Sequence, residues 1–325
     1  MKTANWFITG CAGFIGSNLC EMLLENGHTV IGFDNLSTGK KSNIDRVMDI
    51  AQGRYKFVEG DICNRKSLSE IISNDIDVVV HLAAQGSVQN SFVDIEFNNK
   101  QNIDGFLNVY TLAGEQNISK FIYASSCAVY GETDVLPITE SLCPSPVSPY
   151  ASSKLMNDLL SKNLTHLYPQ TKVIGLRFFN IFGPWQDPFG AYAAVIPKWL
   201  DACMRGEQPV IYGDGSASRD FCYVGDVCNL IKDIGVRTID ADFGVYNIAS
   251  GVTSTLNDLF SVIVAALEDK GLRLGFKGAK HKQWKEGDIM HSLGSNKLAR
   301  KNLGFIPKIE LDKGIELILR EQYHM

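Results

Sequence analysis

Tyr150 and Lys154 lie four residues apart in the segment YASSK, and in a helix this spacing places both side chains on one face. A tyrosine hydroxyl ionises near pH 10, so it is a poor base at neutral pH unless a positive charge stabilises the phenolate. A pKa near 7 would require about 4 kcal/mol of such stabilisation, and the Lys154 ammonium can supply part of it in a closed site. The pair therefore predicts proton transfer by the tyrosine, although Tyr-x-x-x-Lys also occurs by chance on exposed helices.

Ser126 is a second hydroxyl with the placement of a catalytic residue. It follows a predicted strand at Phe121–Ala124, in the segment ASSCAVYG, and the carboxyl ends of parallel strands are where α/β sheets bind ligands. Its hydroxyl can hydrogen-bond an oxygen of the substrate while Tyr150 exchanges a proton, or it can simply cap the turn. The neighbouring Cys127 is interpreted as a small packed residue rather than a nucleophile.

The stretch Trp6–Glu25 must help to position these groups, because it reads as a strand, a glycine turn and a helix. Its glycines, at the spacing G-x-x-G-x-x-G, are Gly10, Gly13 and Gly16. Such glycines let the backbone approach a pyrophosphate and direct helix N–H groups at it. A second strand, Val30–Phe33, ends in Asp34, about as far downstream as the acid that binds the ribose 2′-hydroxyl of a dinucleotide. Because an acid repels a 2′-phosphate, the sequence predicts NAD rather than NADP, and the charged nicotinamide would assist Lys154.

Strands and helices alternate through about the first 180 residues. Further strands are predicted at Lys56–Glu59, Ile76–Leu82 and Val173–Phe178, and helices at 98–115 and from Pro149 onward. We therefore predict an α/β fold, with a doubly wound parallel sheet (Rossmann) as a dinucleotide-binding domain in residues 1–178. Residues 179–325 change character and are predicted to form a smaller α/β substrate lobe. One later strand, near 244–248, is predicted to be added at the edge of the sheet.

Composition excludes several other classes of protein. The 325 residues are 45% hydrophobic and 21% charged, with a net charge of −5 and no block of Lys or Arg, which disfavours nucleic acid or a membrane as partner. No apolar run is long enough to span a membrane, and the N-terminus leads directly into a strand, so we expect a cytoplasmic protein. Eight scattered cysteines without C-x-x-C, and six histidines without H-E-x-x-H, predict no metal.

Taken in chain order, the motifs resemble those of the extended short-chain dehydrogenase/reductase family, specifically its nucleotide-sugar 4-epimerases. They are TGCAGFIG, FDNLSTG, GDI, HLAA, SSCAVYG, YASSK, LRFFNIFGP, SRDFCYV and EGDIMHS, and they run nearly from end to end. The resemblance implies an NAD-dependent enzyme that oxidises C4 of a UDP-sugar to a ketone and reduces it again on the opposite face. It also implies a homodimer formed through two helices per subunit, one of them bearing Tyr150, and a role in polysaccharide synthesis.

The resemblance also implies which residues form the site. The catalytic residues are Ser126, Tyr150 and Lys154. The cofactor-binding residues are Gly10, Gly13, Phe14, Ile15, Gly16, Asp34, Asn35, Ser37, Thr38, Gly39, Asp61, Ile62, Leu82, Ala83, Ala84, Tyr150 and Lys154. The substrate-binding residues are Ser87, Ser126, Tyr150, Asn180, Ala194, Val195, Tyr212, Arg219, Lys285, Asp288 and Ser292.

The sugar itself is predicted from small side chains. Ser292 stands at the family's gating position, where a small residue leaves space for an acetamido group, and Ser87 is placed to hydrogen-bond one. UDP-N-acetylglucosamine and UDP-N-acetylgalactosamine are therefore the expected pair, with UDP-glucuronate or UDP-glucose 4-epimerisation as the alternative. Cys127 and Ala128 stand where related dehydratases carry Asp and Glu, which disfavours dehydration, and the complete catalytic trio disfavours a non-catalytic NAD sensor.

Four positions depart from the family's usual pattern. Lys285 replaces an Arg that grips the diphosphate, which keeps the charge but loses the bidentate fork. Trp185 stands where an Arg commonly follows Gly-Pro, and Gly294-Ser295 replaces Ala-Asp. These differences bear on the choice of nucleotide-sugar and leave the residues of hydride transfer unchanged.

Overall fold

The computed structural model of the protein describes residues 3–189, 193–284 and 289–325. The strands are β1 (Asn5–Thr9), β2 (Thr29–Asp34), β3 (Tyr55–Glu59), β4 (Val78–His81), β5 (Lys120–Ser126), β6 (Lys172–Phe178), β7 (Asn180–Phe182), β8 (Val210–Tyr212), β9 (Ser218–Arg219), β10 (Phe221–Tyr223), β11 (Phe243–Ile248), β12 (Ser254–Thr255) and β13 (Lys280–Lys282). The helices are α1 (Phe14–Glu25), α2 (Lys41–Ile50), α3 (Arg65–Ser69), α4 (Val88–Val93), α5 (Ile95–Asn99), α6 (Gly105–Glu115), α7 (Pro149–Leu164), α8 (Val195–Met204), α9 (Val224–Val236), α10 (Leu256–Asp269), α11 (Lys297–Leu303) and α12 (Leu311–Tyr323). A π-helical turn at Lys100–Asp104 joins α5 to α6, and 3₁₀ turns lie at Cys127–Tyr130 and Thr165–Leu167.

Seven of the strands in the described ranges form one parallel sheet, in the order β11-β6-β5-β4-β1-β2-β3. The order 3-2-1-4-5-6 is that of a dinucleotide-binding sheet, and β11 extends it at one edge. Trp6, Phe7 and Ile8 of the central strand β1 are fully buried, because helices cover both faces of the sheet. The predicted α/β class with a doubly wound parallel sheet is confirmed.

The second lobe is built from residues after β6 but returns one strand to the sheet. β11 pairs in parallel with β6, so that Phe243 lies opposite Val173 and Ile248 opposite Phe178. The sheet thus draws on residues from both sides of the predicted boundary at 178. Around it, the described part of the second lobe contains three two-stranded pairs, β7 with β10, β8 with β13 and β9 with β12. These short pairs lie beyond the carboxyl end of β6, where the chain can cover a bound ligand.

The order of the strands reverses between β1 and β4, and this switch point fixes where a ligand can bind. The chain leaves β1 to build β2 and β3 on one side and then crosses to β4 on the other. The loops after β1 and β4 therefore diverge and leave a crevice at the carboxyl ends of the strands. The glycine turn follows β1, and Leu82–Ala84 follows β4, so both predicted cofactor segments border this crevice.

Three findings on the described ranges bear on chemistry and location. No helix in these ranges combines the length and apolar character needed to cross a membrane. Nor do the same ranges contain a group of three or more His, Cys, Asp or Glu side chains arranged to hold a metal ion. All eight cysteines lie in them and are free thiols.

Candidate active site

The three glycines after β1 differ in why a side chain is absent there. Gly10 has φ +73°, and a Cβ there would lie 2.6 Å from the backbone nitrogen of Ala83. A Cβ on Gly16 would lie 2.1 Å from the Gly10 carbonyl oxygen, so the turn and helix α1 pack too closely for a side chain. Gly13 is different, because a Cβ there would meet only the Gly10 oxygen, at 3.3 Å. Close packing within the protein therefore requires Gly10 and Gly16, whereas Gly13 leaves open space in front of the helix.

That open space lies at the N-terminus of α1. Gly13 is the N-cap residue, and among the described residues no side chain caps it. The first backbone N–H groups of a 12-residue helix thus point toward the crevice with the positive end of the helix dipole. This arrangement suits a phosphate group.

Asp34, at the end of β2, is fixed by two backbone donors. The Ala12 nitrogen donates to its Oδ2 at 2.9 Å and the Leu36 nitrogen donates to its Oδ1 at 2.8 Å. Burial raises the pKa of this carboxyl group, and the two hydrogen bonds oppose that shift. The bonds tie the carboxylate both to the glycine turn and to the loop after β2. Each oxygen retains a further lone pair for a ribose hydroxyl.

A cavity of about 190 Å³ joins these features. Eleven of the predicted cofactor residues line it: Gly10, Gly13, Asp34, Asn35, Ser37, Thr38, Gly39, Ile62, Leu82, Ala83 and Ala84. The predicted residues Phe14, Ile15, Gly16, Asp61, Tyr150 and Lys154 are not among its lining. Six lining residues were not predicted, namely Phe33, Gly60, Gln85, Asn90, Phe97 and Gln101. The open glycine turn, the uncapped helix, the fixed acid and the cavity together fit a dinucleotide.

The catalytic candidates meet where β5 ends and α7 begins. Ser148 caps α7 by accepting a hydrogen bond from the Ala151 nitrogen at 3.1 Å, and Pro149 occupies the first helical position. Ser126 accepts a hydrogen bond from the Ala128 nitrogen at 3.2 Å, so it caps the 3₁₀ turn that follows β5. Burial raises the pKa of Tyr150, and a hydrogen bond with Ser126 acts in the opposite direction. The Ser126 hydroxyl therefore serves the turn and is also placed to lower the pKa of the tyrosine.

Lys154 is buried beside Tyr150, one helical turn further along α7. It is 4% exposed, and its Nζ lies 5.9 Å from the centre of the Tyr150 ring. Nζ donates to the Ala124 carbonyl oxygen at 2.9 Å. Burial lowers the pKa of Lys154 to about 8, and the charge of Asp158 opposes this shift. The protein thus holds an ammonium with a pKa close to neutrality next to the phenol.

A buried amide network fixes the start of α7 against the loop after β4. Asn102, in the π-helical turn, donates to the Ser153 hydroxyl and to the Gln85 carbonyl oxygen, each at 3.0 Å, and accepts from the Gln85 nitrogen at 2.7 Å. Ser153 in turn donates to the Tyr150 carbonyl oxygen at 2.7 Å. Ser87 sits on the same loop, where its hydroxyl accepts from the Asn90 nitrogen at 3.1 Å and caps α4. The network holds the backbone of Tyr150 in place through its carbonyl oxygen.

A larger cavity, of about 890 Å³, lies in the second lobe. The predicted substrate residues that line it are Asn180, Ala194, Val195, Tyr212 and Arg219. Its lining also includes residues that the sequence did not suggest, among them Gln186, Phe189, Lys198, Trp199, Arg205, Phe221, Leu256 and Trp284. Ser87, Ser126, Tyr150 and Ser292 are not among the lining residues. Two further predicted substrate residues, Lys285 and Asp288, lie outside the described residues.

Arg219 and Ser292 are brought together by backbone pairing. The Ser292 nitrogen donates to the Ser218 carbonyl oxygen at 3.1 Å, and Arg219 donates to the Met290 carbonyl oxygen at 3.2 Å. The adjacent Asp220 is fully buried, and its carboxylate accepts from the backbone nitrogens of Ser250, at 2.7 Å, and Gly294, at 3.1 Å. The segment that carries Ser292 is therefore fastened to the strand that carries Arg219.

Two of the departures from the family pattern have a structural explanation. Trp185 has φ +69°, and its ring stacks under the Arg46 guanidinium, whose carbon lies 4.5 Å from the ring centre. The tryptophan thereby packs its loop against α2. At Gly294 a Cβ would lie 2.6 Å from the Ala249 Cβ and 2.7 Å from the Phe179 ring, so this position requires glycine.

Comparison with known proteins gives one consistent result. Residues 6–249 match the family described as the NAD dependent epimerase/dehydratase family. A UDP-N-acetylglucosamine 4-epimerase from Methanobrevibacter ruminantium, solved with UDP-N-acetylmuramic acid, is 35% identical and superimposes with a TM-score of 0.89 over 99% of this chain and 100% of that one. A UDP-glucose 4-epimerase from Thermotoga maritima, solved with UDP-glucose, is 34% identical, with a TM-score of 0.87 over 97% of both chains. The UDP-glucose 4-epimerase of Mycolicibacterium smegmatis is 31% identical over 313 residues, 95% of either chain.

Proposed function

This chain belongs to the NAD-dependent epimerase/dehydratase family, and we propose that within it the protein is a UDP-sugar 4-epimerase acting on UDP-N-acetylglucosamine and UDP-N-acetylgalactosamine. Its cofactor is NAD, as the sequence predicts. The observation that carries the proposal is the meeting of Ser126, Tyr150 and Lys154 at the carboxyl end of β5, in a fold whose crevice fits a dinucleotide. A protein that only sensed NAD would have no use for a buried ammonium beside a phenol.

In this function, Gly13 and the start of α1 would hold the pyrophosphate and Asp34 the adenosine ribose. When bound, oxidised NAD supplies the hydride acceptor for C4 and, after reduction, the donor that restores the C–H bond on the opposite face. The phenolate of Tyr150 takes the proton of the sugar 4-hydroxyl, and its hydroxyl returns a proton when the ketone is reduced. Ser126 hydrogen-bonds the sugar oxygen and orients it. Lys154 stabilises the phenolate through its positive charge.

The preference for an acetylated sugar rests on the small side chains at Ser292 and Ser87. Ser292 is 7% exposed, in the segment fastened to Arg219, so the guanidinium that would bind the diphosphate and the gating residue share one support. By resemblance to the family, Lys285 would add a positive charge at the diphosphate end. The 890 Å³ cavity next to Arg219 and Tyr212 would take the nucleotide.

Incubation of the purified protein with UDP-N-acetylglucosamine, UDP-glucose and UDP-glucuronate, each separately, tests this function. Proton NMR should show a new C4 epimer without change of mass, formed fastest from the acetylated sugar. Tyr150→Phe should retain NAD and lose turnover by about 10²-fold or more. Loss of water from the product would indicate a dehydratase, and full activity of Tyr150→Phe would contradict the mechanism.

We also propose a homodimer in which α4, α5 and α7 of two copies meet. These helices pack against one another, and they expose large apolar side chains, including Phe92, Val93 and Ile95 beside Met156 and Leu159. Val93 is 82% exposed and Leu159 49%, and an apolar face of this kind is typical of an interface.

Light scattering after gel filtration tests this dimer. Val93→Asp and Leu159→Asp should each convert the dimer to a monomer, whereas Val135→Asp, at an exposed apolar position outside these helices, should not. A monomeric parent protein would contradict the proposal.

The cellular setting follows from the chemistry of the residues. Eight free thiols are expected in a reducing compartment, so we propose a cytoplasmic enzyme. Both sugars of the proposed pair, in their UDP form, are donors for glycosyl transfer, and we propose that the product is used in polysaccharide synthesis.

A further inference from the structure

A buried ion pair lies behind the catalytic lysine. Asp158 follows Lys154 by four residues on α7, so both side chains lie on one face of that helix. Asp158 is 5% exposed and Arg177, on β6, is 7% exposed. The Arg177 Nε donates to Asp158 Oδ2 at 2.9 Å, and the Tyr123 hydroxyl donates to Oδ1 at 3.0 Å. Both carboxylate oxygens thus accept hydrogen bonds, as an ionised Asp requires.

We propose that Asp158 is a positioning residue that holds Lys154 in its charged form, and that Arg177 sets how strongly it does so. The consequence for catalysis rests on the proposed function, because the charge on Lys154 matters there for the ionisation of Tyr150. The effect on Lys154 itself can be measured without any substrate.

Asp158 acts on Lys154 through its charge, along one face of α7, and makes no hydrogen bond with it. The Lys154 Nζ donates to the Ala124 carbonyl oxygen at 2.9 Å, on the side of the site. Asp158 is held away from it by Arg177 and Tyr123. The Arg177 Nη1 is anchored in turn to the Tyr130 hydroxyl at 2.8 Å. A direct ion pair would draw the ammonium away from the phenol, whereas this arrangement supplies negative charge and leaves Nζ in place.

The groups around Lys154 leave Asp158 as its source of negative charge. Tyr150, on the same helix, has its pKa raised by burial, so in the protein alone it is an uncharged phenol at neutral pH. His81, on β4, is held neutral, because burial and the lysine lower its pKa to about 3. On β5 the pKa of Tyr123 is raised by burial and by Asp158. On β6 Arg177 is a cation. Of these groups only Asp158 is an anion.

Two charge-removing variants should move the pKa of Lys154 in opposite directions. Asp158→Asn removes the anion and leaves the Arg177 cation, so the pKa should fall by about one unit. Arg177→Gln removes the cation that opposes Asp158. Burial raises the pKa of Asp158 and Arg177 opposes that shift, so the pKa of Lys154 should rise in the alkaline range, where Asp158 is ionised. The double variant Asp158→Asn/Arg177→Gln restores neutrality at the pair and should lie between the two. If the pair had a purely structural role, the two single variants would not shift the pKa of Lys154 in opposite directions.

The measurement is a ¹³C NMR titration of protein labelled at the lysine ε-carbon, with Lys154→Met to assign the resonance and every variant in the same cofactor state. The alkaline limb of the pH profile of kcat/KM should follow the measured pKa in each variant. The proposal would be overturned if both single variants shifted the pKa of Lys154 in the same direction, or if neither changed it.

Loss of folding in one variant does not remove the test. Removal of one partner of a buried pair is strongly destabilising, so either single variant is at risk. The single variant that folds is then compared with the double variant. The pKa of Lys154 should be higher in Arg177→Gln than in the double variant, and lower in Asp158→Asn than in the double variant. If the pKa of Lys154 moves as expected but the parent protein epimerises no UDP-sugar, the proposed function fails and this inference stands.

Discussion

His81 should make the free energy of unfolding of this protein depend on pH. The side chain is 2% exposed at the end of β4, its Nδ1 lies 2.9 Å from the Thr9 hydroxyl, and its ring packs against Phe106 and Phe121. Burial, with a smaller contribution from the charge of Lys154, lowers its pKa to about 3. In the unfolded chain a histidine titrates near pH 6.5. The folded state therefore keeps its full stability above pH 6.5 and loses stability progressively as the pH falls toward 3.

The magnitude follows from the difference between the two pKa values. Each pH unit between 6.5 and 3 corresponds to about 1.4 kcal/mol, so His81 should cost about 2 kcal/mol of unfolding free energy between pH 7 and pH 5. Urea unfolding of the parent protein and of His81→Gln, at both pH values and in one cofactor state, measures this. The variant should be less stable at pH 7 but should lose about 2 kcal/mol less on acidification.

The exposed His166 provides a matched control, since His166→Gln should retain the acid loss of the parent protein. An equal loss of stability on acidification in the parent protein and in His81→Gln would refute the reasoning. It would mean that other groups carry the acid sensitivity.

Three further predictions concern the cofactor and the catalytic lysine. Gly16→Ala should lower both the melting temperature and the NAD content, because its Cβ would lie 2.1 Å from the Gly10 carbonyl oxygen. Gly13→Ala should lower the NAD content alone. Equal melting temperatures in the two variants would contradict this distinction. Asp34→Asn should weaken NAD binding by about tenfold and raise the affinity for NADP relative to NAD, because the charge that repels a 2′-phosphate is lost. Titration calorimetry measures both affinities. An unchanged ratio of the NAD and NADP affinities would count against this prediction. Because burial lowers the pKa of Lys154 to about 8, activity should decline as the pH rises through 8. Lys154→Met should reduce turnover at every pH. An unchanged pH profile of activity in that variant would exclude a catalytic role for the lysine.

The sequence predicts the first half of the fold closely, because each strand there is an apolar run that ends in a turn. β1, β5 and β6 begin one residue before the predicted strands, and the glycine turn is followed by α1 as expected. In residues 179–325 only β11 gives such a signal, near the predicted 244–248. The other strands described there are two or three residues long, and their short pairs form only when distant segments meet, as Lys280 does with Val210.

The lining of the cofactor cavity shows the same limit. Asp34 can be predicted from the sequence because one βαβ unit fixes its distance from the glycines. Phe97 and Gln101 have no such spacing, since they reach the crevice from the helix that begins at Ile95 and bends through the π-helical turn. The hydroxyls of Ser87 and Ser126 could be recognised as polar groups near the site, but their use as helix and turn caps is a property of the folded chain.

The protein alone keeps its proposed base in the wrong protonation state for the first step. Burial raises the pKa of Tyr150, Ser126 opposes this only in part, and Lys154 donates its nearest hydrogen bond to Ala124 rather than to the phenol. A lysine with a pKa of about 8 is also only partly charged in mildly alkaline solution. The phenolate therefore depends on a second positive charge, which in the proposed function the nicotinamide ring of oxidised NAD would supply. Proton abstraction would then be confined to protein that holds its cofactor in the oxidised form. In the proposed function, the site around Gly13 and Asp34 would therefore have to retain NAD, because each turnover has to leave the cofactor in the state that ionises Tyr150 for the next.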